Sequence, residues 1–319
     1  MAAATTYTFQ LTAEQAEKLE EILRARDWDF REVPHARFAG ARDQVNVVYY
    51  RSGKLVTQGK GARDFVEFIL EPEVLGEVVT GYDDVLHPET LLPRIGVDES
   101  GKGDFFGPLC VAGVYVNETV VKTWRAAGVR DSKNISSDRK IAELAKVIRE
   151  TPGVVCDVVT IGNEAYNRLH KTMGSVNRVL AWGHARVIEN LMGRRHRMNP
   201  APVRAISDQF AADKATVGKA LMSLGRKIEL IQRHKAESDL AVAAASILAR
   251  DEFVTRLRRL GEEMGEELPK GASSKVVEAG RRLVAAQGEG CLLKVAKMHF
   301  RTSYVVRGLP EPPKKEWRR

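Results

Sequence analysis

Cysteine is scarce: Cys110, Cys156 and Cys291 are the only three in 319 residues. They lie far apart and form no C-x-x-C pair, so neither a zinc site nor a disulfide framework is expected. Long apolar runs are missing too. None approaches the ~18 residues a membrane span requires, and the opening MAAATTYTFQ lacks the basic start and apolar core of a secretory signal. The expected compartment is the cytoplasm, with no membrane partner. Acidic residues are in deficit: 42 Asp and Glu face 50 Lys and Arg, a formal charge of +8, which favours a polyanionic partner such as nucleic acid. With 44% apolar and 29% charged residues, wholesale disorder is excluded.

Two domains are expected. Residues 1–80 open with an alternating strand at 6–10. Thr12 and Gln15 then make a capping box for a helix whose stripe is Ala16, Leu19, Ile22 and Leu23. Short β-type runs follow at 36–40, 44–50 and 54–58, with Arg51-Ser52-Gly53 as a hairpin turn and a second helix at 62–70. This is a small α+β unit. Arg37, Arg42, Arg51, Lys54 and Lys60 concentrate positive charge on its strands, which makes either a nucleic-acid surface or a solvated sheet face. Residues 81–93, with Gly81, Pro88 and Pro93 and no periodicity, read as a linker.

From residue 94 to 319 the pattern changes. Strands are predicted at 95–97, 109–116, 154–160, 203–207 and 227–231, and helices at 138–149, 163–171, 175–192, 213–224, 239–260 and 275–287. Strands joined by crossover helices imply an α/β domain with a mixed or parallel sheet and ligands at the strand ends.

The stretch RIGVDESGKGDFFGP carries G-x-x-x-x-G-K, the opening of a nucleotide-binding P-loop, but with Asp98 and Glu99 where phosphate would sit and Gly103 in place of Ser or Thr. Two carboxylates facing a phosphate at roughly 4 Å repel it by several kcal/mol at intermediate dielectric unless divalent cations intervene. Asp98 and Glu99 follow one predicted strand, Asp208 follows another, and Glu237 lies between a third and the long helix. If these strands run the same way, four carboxylates gather at one sheet edge, a hard-oxygen site suited to Mg²⁺ or Mn²⁺. Each acid also has a plain structural use: Asp208 and Glu237 at helix starts, Asp98 and Glu99 in a turn.

The ordered motifs resemble the type 2 ribonucleases H. D-E-S-G-K-G-D-x-x-G-P is similar to that family's first active-site motif, and D-S-K at 131–133, A-I-S-D-Q-F and H-K-A-E-S…A-A-A-S-I-L-A-R to its later ones. Glu as the fourth acid, the preceding domain, the run at 180–191 and K-M-H-F at 297–300 point to the ribonuclease HIII branch over HII. The resemblance implies an RNase H-like nuclease domain behind a TATA-binding-protein-like substrate-binding domain. It implies two-metal hydrolysis of the RNA strand of RNA/DNA hybrids, leaving 5′-phosphate and 3′-hydroxyl ends. Asp98, Glu99, Asp208 and Glu237 would be the catalytic and metal-holding residues, and a monomer without small-molecule cofactor is expected.

By the same resemblance, Gly101 and Gly103 would let the backbone approach the 2′-hydroxyls of RNA. Lys102 would add a phosphate contact, and Lys133 and Lys235 would lie on the substrate side. Asp104 is expected to hold the loop, Asp251 to stand behind the ligands or at the surface, and Asn163, Asn167 and Asn177 are candidates for the sugar-phosphate; His299 is left out of the chemistry. Competing readings are HII-like excision at single ribonucleotides in DNA, a non-catalytic hybrid-binding protein, and a P-loop NTPase.

Overall fold

The computed structural model describes residues 5–76, 88–127, 135, 137–210, 215–234 and 236–310. Two compact units emerge, Met1–Thr90 and Leu91–Arg319. Asp131, Lys133, Lys235 and most of the expected linker lie outside the described residues.

In the first unit, strands β1 (Thr5–Gln10), β2 (Asp29–Phe30), β3 (Ala36–Arg42), β4 (Val45–Tyr50) and β5 (Lys54–Gly59) form an antiparallel sheet of order β1-β5-β4-β3-β2. Helix α1 (Ala13–Ala25) starts at the expected capping box and buries Ala16, Leu19 and Leu23. Helix α2 (Ala62–Phe65) does not continue as an ordinary helix but widens into a π-helix over Val66–Leu75. Pro72 supplies the reason: it has no N–H and its ring would crowd the carbonyl one turn back. Strand β4 starts one residue later than expected. Arg42 pairs directly with Val45, and the two-residue turn puts Asp43 and Gln44 at φ 46° and 64°, the double positive φ of a type I′ hairpin.

The second unit is built on β6 (Arg94–Ser100), β7 (Leu109–Val116), β8 (Val155–Ile161), β9 (Arg204–Asp208) and β10 (Glu229–Arg233), in the order β10-β9-β6-β7-β8. Strands β10, β9 and β6 run parallel, while β7 is antiparallel to both neighbours. The sheet is therefore mixed, and the three acid-bearing strands do point the same way. Because the glycine loop returns through β7 rather than opening a helix, the P-loop reading fails: the backbone after the loop is strand, not the helix N-terminus that holds phosphate in a P-loop.

Helices cover both faces. They include α3 (Glu118–Ala127), which the sequence reading left unassigned, α4 (Asp138–Glu150), α5 (Asn163–Met173), α6 (Val176–Gly193), α7 (Ala215–Ala220), α8 (Leu240–Met264) and α9 (Ser274–Gln287). Alternation along β6 and β7 divides the core. Ile95, Val97, Leu109 and Val111 pack with Val187, Ile188 and Leu191 of α6, whereas Ala112 and Val114 pack with Ala241, Ala244, Ala245 and Leu248 of α8. The alanine run of α8 is a packing requirement. A β-carbon on Gly96 would stand 2.2 Å from the Ala241 carbonyl carbon, so helix and strand touch backbone to backbone and tolerate no added bulk.

A buried ion pair fixes this helix to the sheet. The Arg94 Nε lies 2.8 Å and 3.1 Å from the two carboxylate oxygens of Asp239, and Asp239 also caps α8 by accepting from the Ala241 N–H at 2.9 Å. All three cysteines are free, Cys110 and Cys291 buried and Cys156 half-buried. Among the described residues no helix is long and apolar enough to cross a membrane.

Candidate metal centre

Asp98 and Glu99 are not loop residues, as the sequence suggested, but the last turns of the pleat in β6. Successive residues of a strand face opposite sides, and their partners differ accordingly. Asp98 hydrogen-bonds Ser246 on α8; Glu99 meets His184 on α6, with its Oε2 2.9 Å from Nε2. The Glu99 N–H also donates to Asp98 Oδ1 at 2.9 Å.

Asp208 closes β9. The β6–β9 ladder ends at Val97 with Ser207, so the next step along both strands sets Asp98 beside Asp208, and in a parallel pair such neighbours share a face. Ser207 takes the other face, its Oγ 2.9 Å from His184 Nδ1. The Ala236 N–H donates to Asp208 Oδ1 at 3.4 Å, which brings the turn Ala236–Ser238, and with it Glu237, next to Asp208. The backbone thus collects all four acids at the carboxyl ends of parallel strands. Their side chains do not form a ready cage: among the described residues no three His, Cys, Asp or Glu side chains converge to hold an ion. Glu99, on the far face, is engaged by His184 and by Lys102, whose Nζ is 3.8 Å from Oε1.

Electrostatics describe what this edge favours. Burial first, and the Glu99 charge second, push the Asp98 carboxyl up to about 7. A divalent cation would remove both penalties at once, and an all-oxygen acidic set suits Mg²⁺ or Mn²⁺. It is the donor chemistry of these residues, rather than a preformed cage, that fits the implied metal.

The glycine loop splits into two roles. Gly101 has φ +93° and a β-carbon there would meet the Pro108 carbonyl oxygen at 2.3 Å, whereas around Gly103 there is nothing within 4 Å. Alanine at 101 therefore disturbs the fold before it can report on substrate, and only Gly103 tests close approach. Lys102 is partly exposed beside Glu99 and 5.5 Å from the Phe210 ring centroid.

Behind the loop stands Lys297 of K-M-H-F, whose ammonium donates to the carbonyls of Asp104 at 2.9 Å and Gly107 at 2.5 Å. Burial draws Lys297 down to about 7. Asp104 holds the loop as expected, its Oδ1 accepting from the Gly271 N–H at 2.6 Å. The sugar-phosphate role weighed for Asn163 and Asn167 does not suit their bonding: Asn163 donates to the Gly107 carbonyl at 2.8 Å, and Asn167 donates to that of Ala296 and accepts from the Met298 N–H, both at 2.9 Å. Asp251 pairs with Arg149 at 2.8 Å. His299 stacks on His170 with centroids 4.5 Å apart, and burial, then His170, lower it to about 4. This is a packed aromatic cluster.

In the first unit Arg37, Arg51, Lys54 and Lys60 are exposed, Arg51 and Lys60 in turns rather than strands. Arg42 is exposed as well, but its guanidinium already has protein partners. It donates to the Arg26 carbonyl and pairs with Asp43, and it shares a cavity wall with Trp28 and Phe65 beneath the helices.

His184 is the residue that sequence reading missed. It is fully buried among apolar neighbours at helical spacing, a pattern that reads as core; only its contact with Glu99 gives it away.

Comparison with known proteins places this geometry. Residues 95–303 match the sequence model of the family described as Ribonuclease HII. The chain is 44% identical over 298 residues to a Ribonuclease HIII of Chlamydia pneumoniae, covering 93% of this chain and 96% of that protein. It is 40% identical over 314 residues to a Ribonuclease HIII of Protochlamydia amoebophila, covering 97% and 99%. Among solved structures, Bst-RNase HIII in complex with Mn²⁺ aligns at TM-score 0.64 and 31% identity, covering 95% of this chain and 98% of that one. Aquifex aeolicus RNase H3 aligns at TM-score 0.53 and 25% identity, covering 92% and 99%.

Proposed function

As a member of the ribonuclease HIII branch of the type 2 ribonuclease H family, to which this chain belongs, it is a ribonuclease H-type endoribonuclease, and we propose that it hydrolyses the RNA strand of RNA/DNA hybrids through two divalent cations. Asp98, Glu99, Asp208 and Glu237 would hold Mg²⁺ or Mn²⁺, and the products would carry 5′-phosphate and 3′-hydroxyl ends. When bound, such ions activate the attacking water and stabilise the leaving oxygen. The single observation that carries this reading is the parallel register of Val97 with Ser207, which brings Asp98 and Asp208 to adjoining strand ends, where burial and a neighbouring acid oppose the charge of Asp98. The Mn²⁺ complex of Bst-RNase HIII supports a divalent ion.

The chain's own residues supply the rest. Asp98 is oriented by Ser246 and by the Glu99 N–H. The open space at Gly103 leaves backbone accessible to a sugar edge, where a 2′-hydroxyl would mark RNA. Lys102, partly exposed and at a loose 3.8 Å from Glu99 Oε1, can turn to a phosphate. Lys133 and Lys235 are further substrate contacts by resemblance. One comparison tests the whole: a uniform RNA/DNA hybrid and a DNA duplex with one ribonucleotide, offered side by side with Mg²⁺ or Mn²⁺. Cuts throughout the RNA tract with 5′-phosphate ends are expected; cleavage confined to the single ribonucleotide would favour HII-like excision, and binding without cleavage a hybrid-binding protein.

The first unit would add affinity. If Arg37, Arg51, Lys54 and Lys60 each neutralise a phosphate, replacing all four with Ala flattens the slope of log K against log salt by up to ~3.6, taking the B-DNA value of about 0.9 per contact for a hybrid. The rate at saturating hybrid should change less than KM. Equal slopes would mean that these residues form a solvated face.

A further inference from the structure

His184 occupies a place that the proposed chemistry does not account for. It lies on α6, fully buried, and reaches both strands that carry the central acids. Its Nε2 is 2.9 Å from Glu99 Oε2 and its Nδ1 2.9 Å from Ser207 Oγ, which itself lies 3.1 Å from the Asp208 carbonyl oxygen. The Phe210 ring, 4.9 Å away centroid to centroid, closes the other side. A carboxylate only accepts hydrogen bonds, so Nε2 carries the hydrogen that faces Glu99, while the Ser207 hydroxyl, which donates to the Asp208 carbonyl oxygen, holds the ring at Nδ1.

We propose that His184 is a positioning residue: held by Ser207, it fixes the Glu99 carboxylate at the strand end so that Glu99 can serve the metal centre from the face of the sheet opposite Asp98. The physical need is specific. Glu99 has one more methylene than Asp98 and faces the other side of β6, so its carboxylate samples more orientations unless something restrains it, and ordering such a side chain costs conformational entropy. A buried ring with both nitrogens engaged has that cost already met on folding. Removing hydrogen-bond partners that orient metal-holding carboxylates typically weakens metal affinity about 10- to 100-fold.

The inference rests on the proposed metal centre, so the test must separate the two. Mn²⁺ alone is titrated calorimetrically into the full-length protein, without nucleic acid, for the parent, Asp98→Asn, His184→Asn, His184→Gln and Ser207→Ala, with melting curves for each. The amide nitrogen of Gln reaches where Nε2 stood, while that of Asn reaches only to Nδ1. His184→Asn should therefore bind Mn²⁺ about 10- to 100-fold more weakly and His184→Gln within roughly threefold of the parent, with Ser207→Ala in between. Half-saturating Mn²⁺ for cleavage should follow the same order, and the rate at saturating Mn²⁺ should change less. Parental affinity in His184→Asn and Ser207→Ala, with Asp98→Asn impaired, would make His184 a packing residue; equal weakening in the Gln and Asn variants would also overturn the idea. Should His184→Asn melt below assay temperature, Ser207→Ala against the parent decides in the same way. Undiminished binding in Asp98→Asn would instead sink the metal centre itself.

Discussion

Asp98→Asn should lose about 10²–10³-fold in cleavage rate yet gain stability in chelator at pH 8. The amide keeps the shape of the side chain but removes a charge proposed to hold metal, an electrostatic contribution of the size that costs ~10²–10³ or more when one stabilising group is lost. Asp208→Asn should fall similarly in rate, and hybrid binding should survive in both. The stability gain follows from the direction of the Asp98 shift. Its carboxyl is raised to about 7 in the folded chain, first by burial and then by Glu99, against about 3.9 when unfolded. Between these values the folded state binds more protons, so metal-free stability falls as pH rises from about 4 to 7 and stays low above it. Asparagine escapes that loss, which at 1.36 kcal/mol per unit amounts to one to a few kcal/mol. Melting both proteins in EDTA across pH 5–8 checks it: their midpoints should lie closer at pH 5 than at pH 8. Near-parental turnover would take the metal role from Asp98, and a parent that stabilises with rising pH would reverse the electrostatic argument.

Arg94→Leu should cost about 3–5 kcal/mol, because it leaves the Asp239 carboxylate buried without its main partner. Arg94 and Asp239 are 1% and 7% exposed, too little for water to substitute for the lost guanidinium, and among the described residues the other cation within ion-pair distance of Asp239 is Arg233, at 3.6 Å. At roughly 2–4 °C per kcal/mol for a unit of this size, the midpoint should drop by about 10 °C. Replacing both partners, as in Arg94→Leu with Asp239→Leu, should recover part of the loss, less the helix cap of about 1 kcal/mol that Asp239 provides. Chemical denaturation of the full chain reads both. A single-variant loss under ~1 kcal/mol would mean that the pair is solvated enough to be dispensable.

Much of the site could be read from the sequence because strand ends and parallel order follow from pattern. The apolar runs before Asp98 and Asp208 identified two strands, and crossover helices between them implied a common direction. What pattern could not supply was the face. Whether Asp98 and Glu99 leave the strand as a turn or continue its pleat depends on pairing with β7, which extends to Ser100 against Cys110, a contact between separate segments. His184 was hidden for a related reason: on its own helix it is one polar residue in a buried stripe, and its meaning comes from Glu99, 85 positions away. Lys297 was equally opaque, since nothing in the sequence around it shows that its ammonium turns inward onto the carbonyls of Asp104 and Gly107. The widened turn after Phe65 was foreseeable in kind, from Pro72, though not in form.

That lysine also sets an order of events. The segment from Asp104 to Gly107, just past the glycine loop, takes its shape from an ammonium group supplied 190 residues later. During synthesis the amino-terminal part of a chain emerges and folds first, so β6, β9 and their acids can be in place while the loop beside them still lacks its inner support. The nuclease is thereby completed by its late-made residues, and a chain arrested before position 297 would carry every proposed ligand yet present a loop without its anchor.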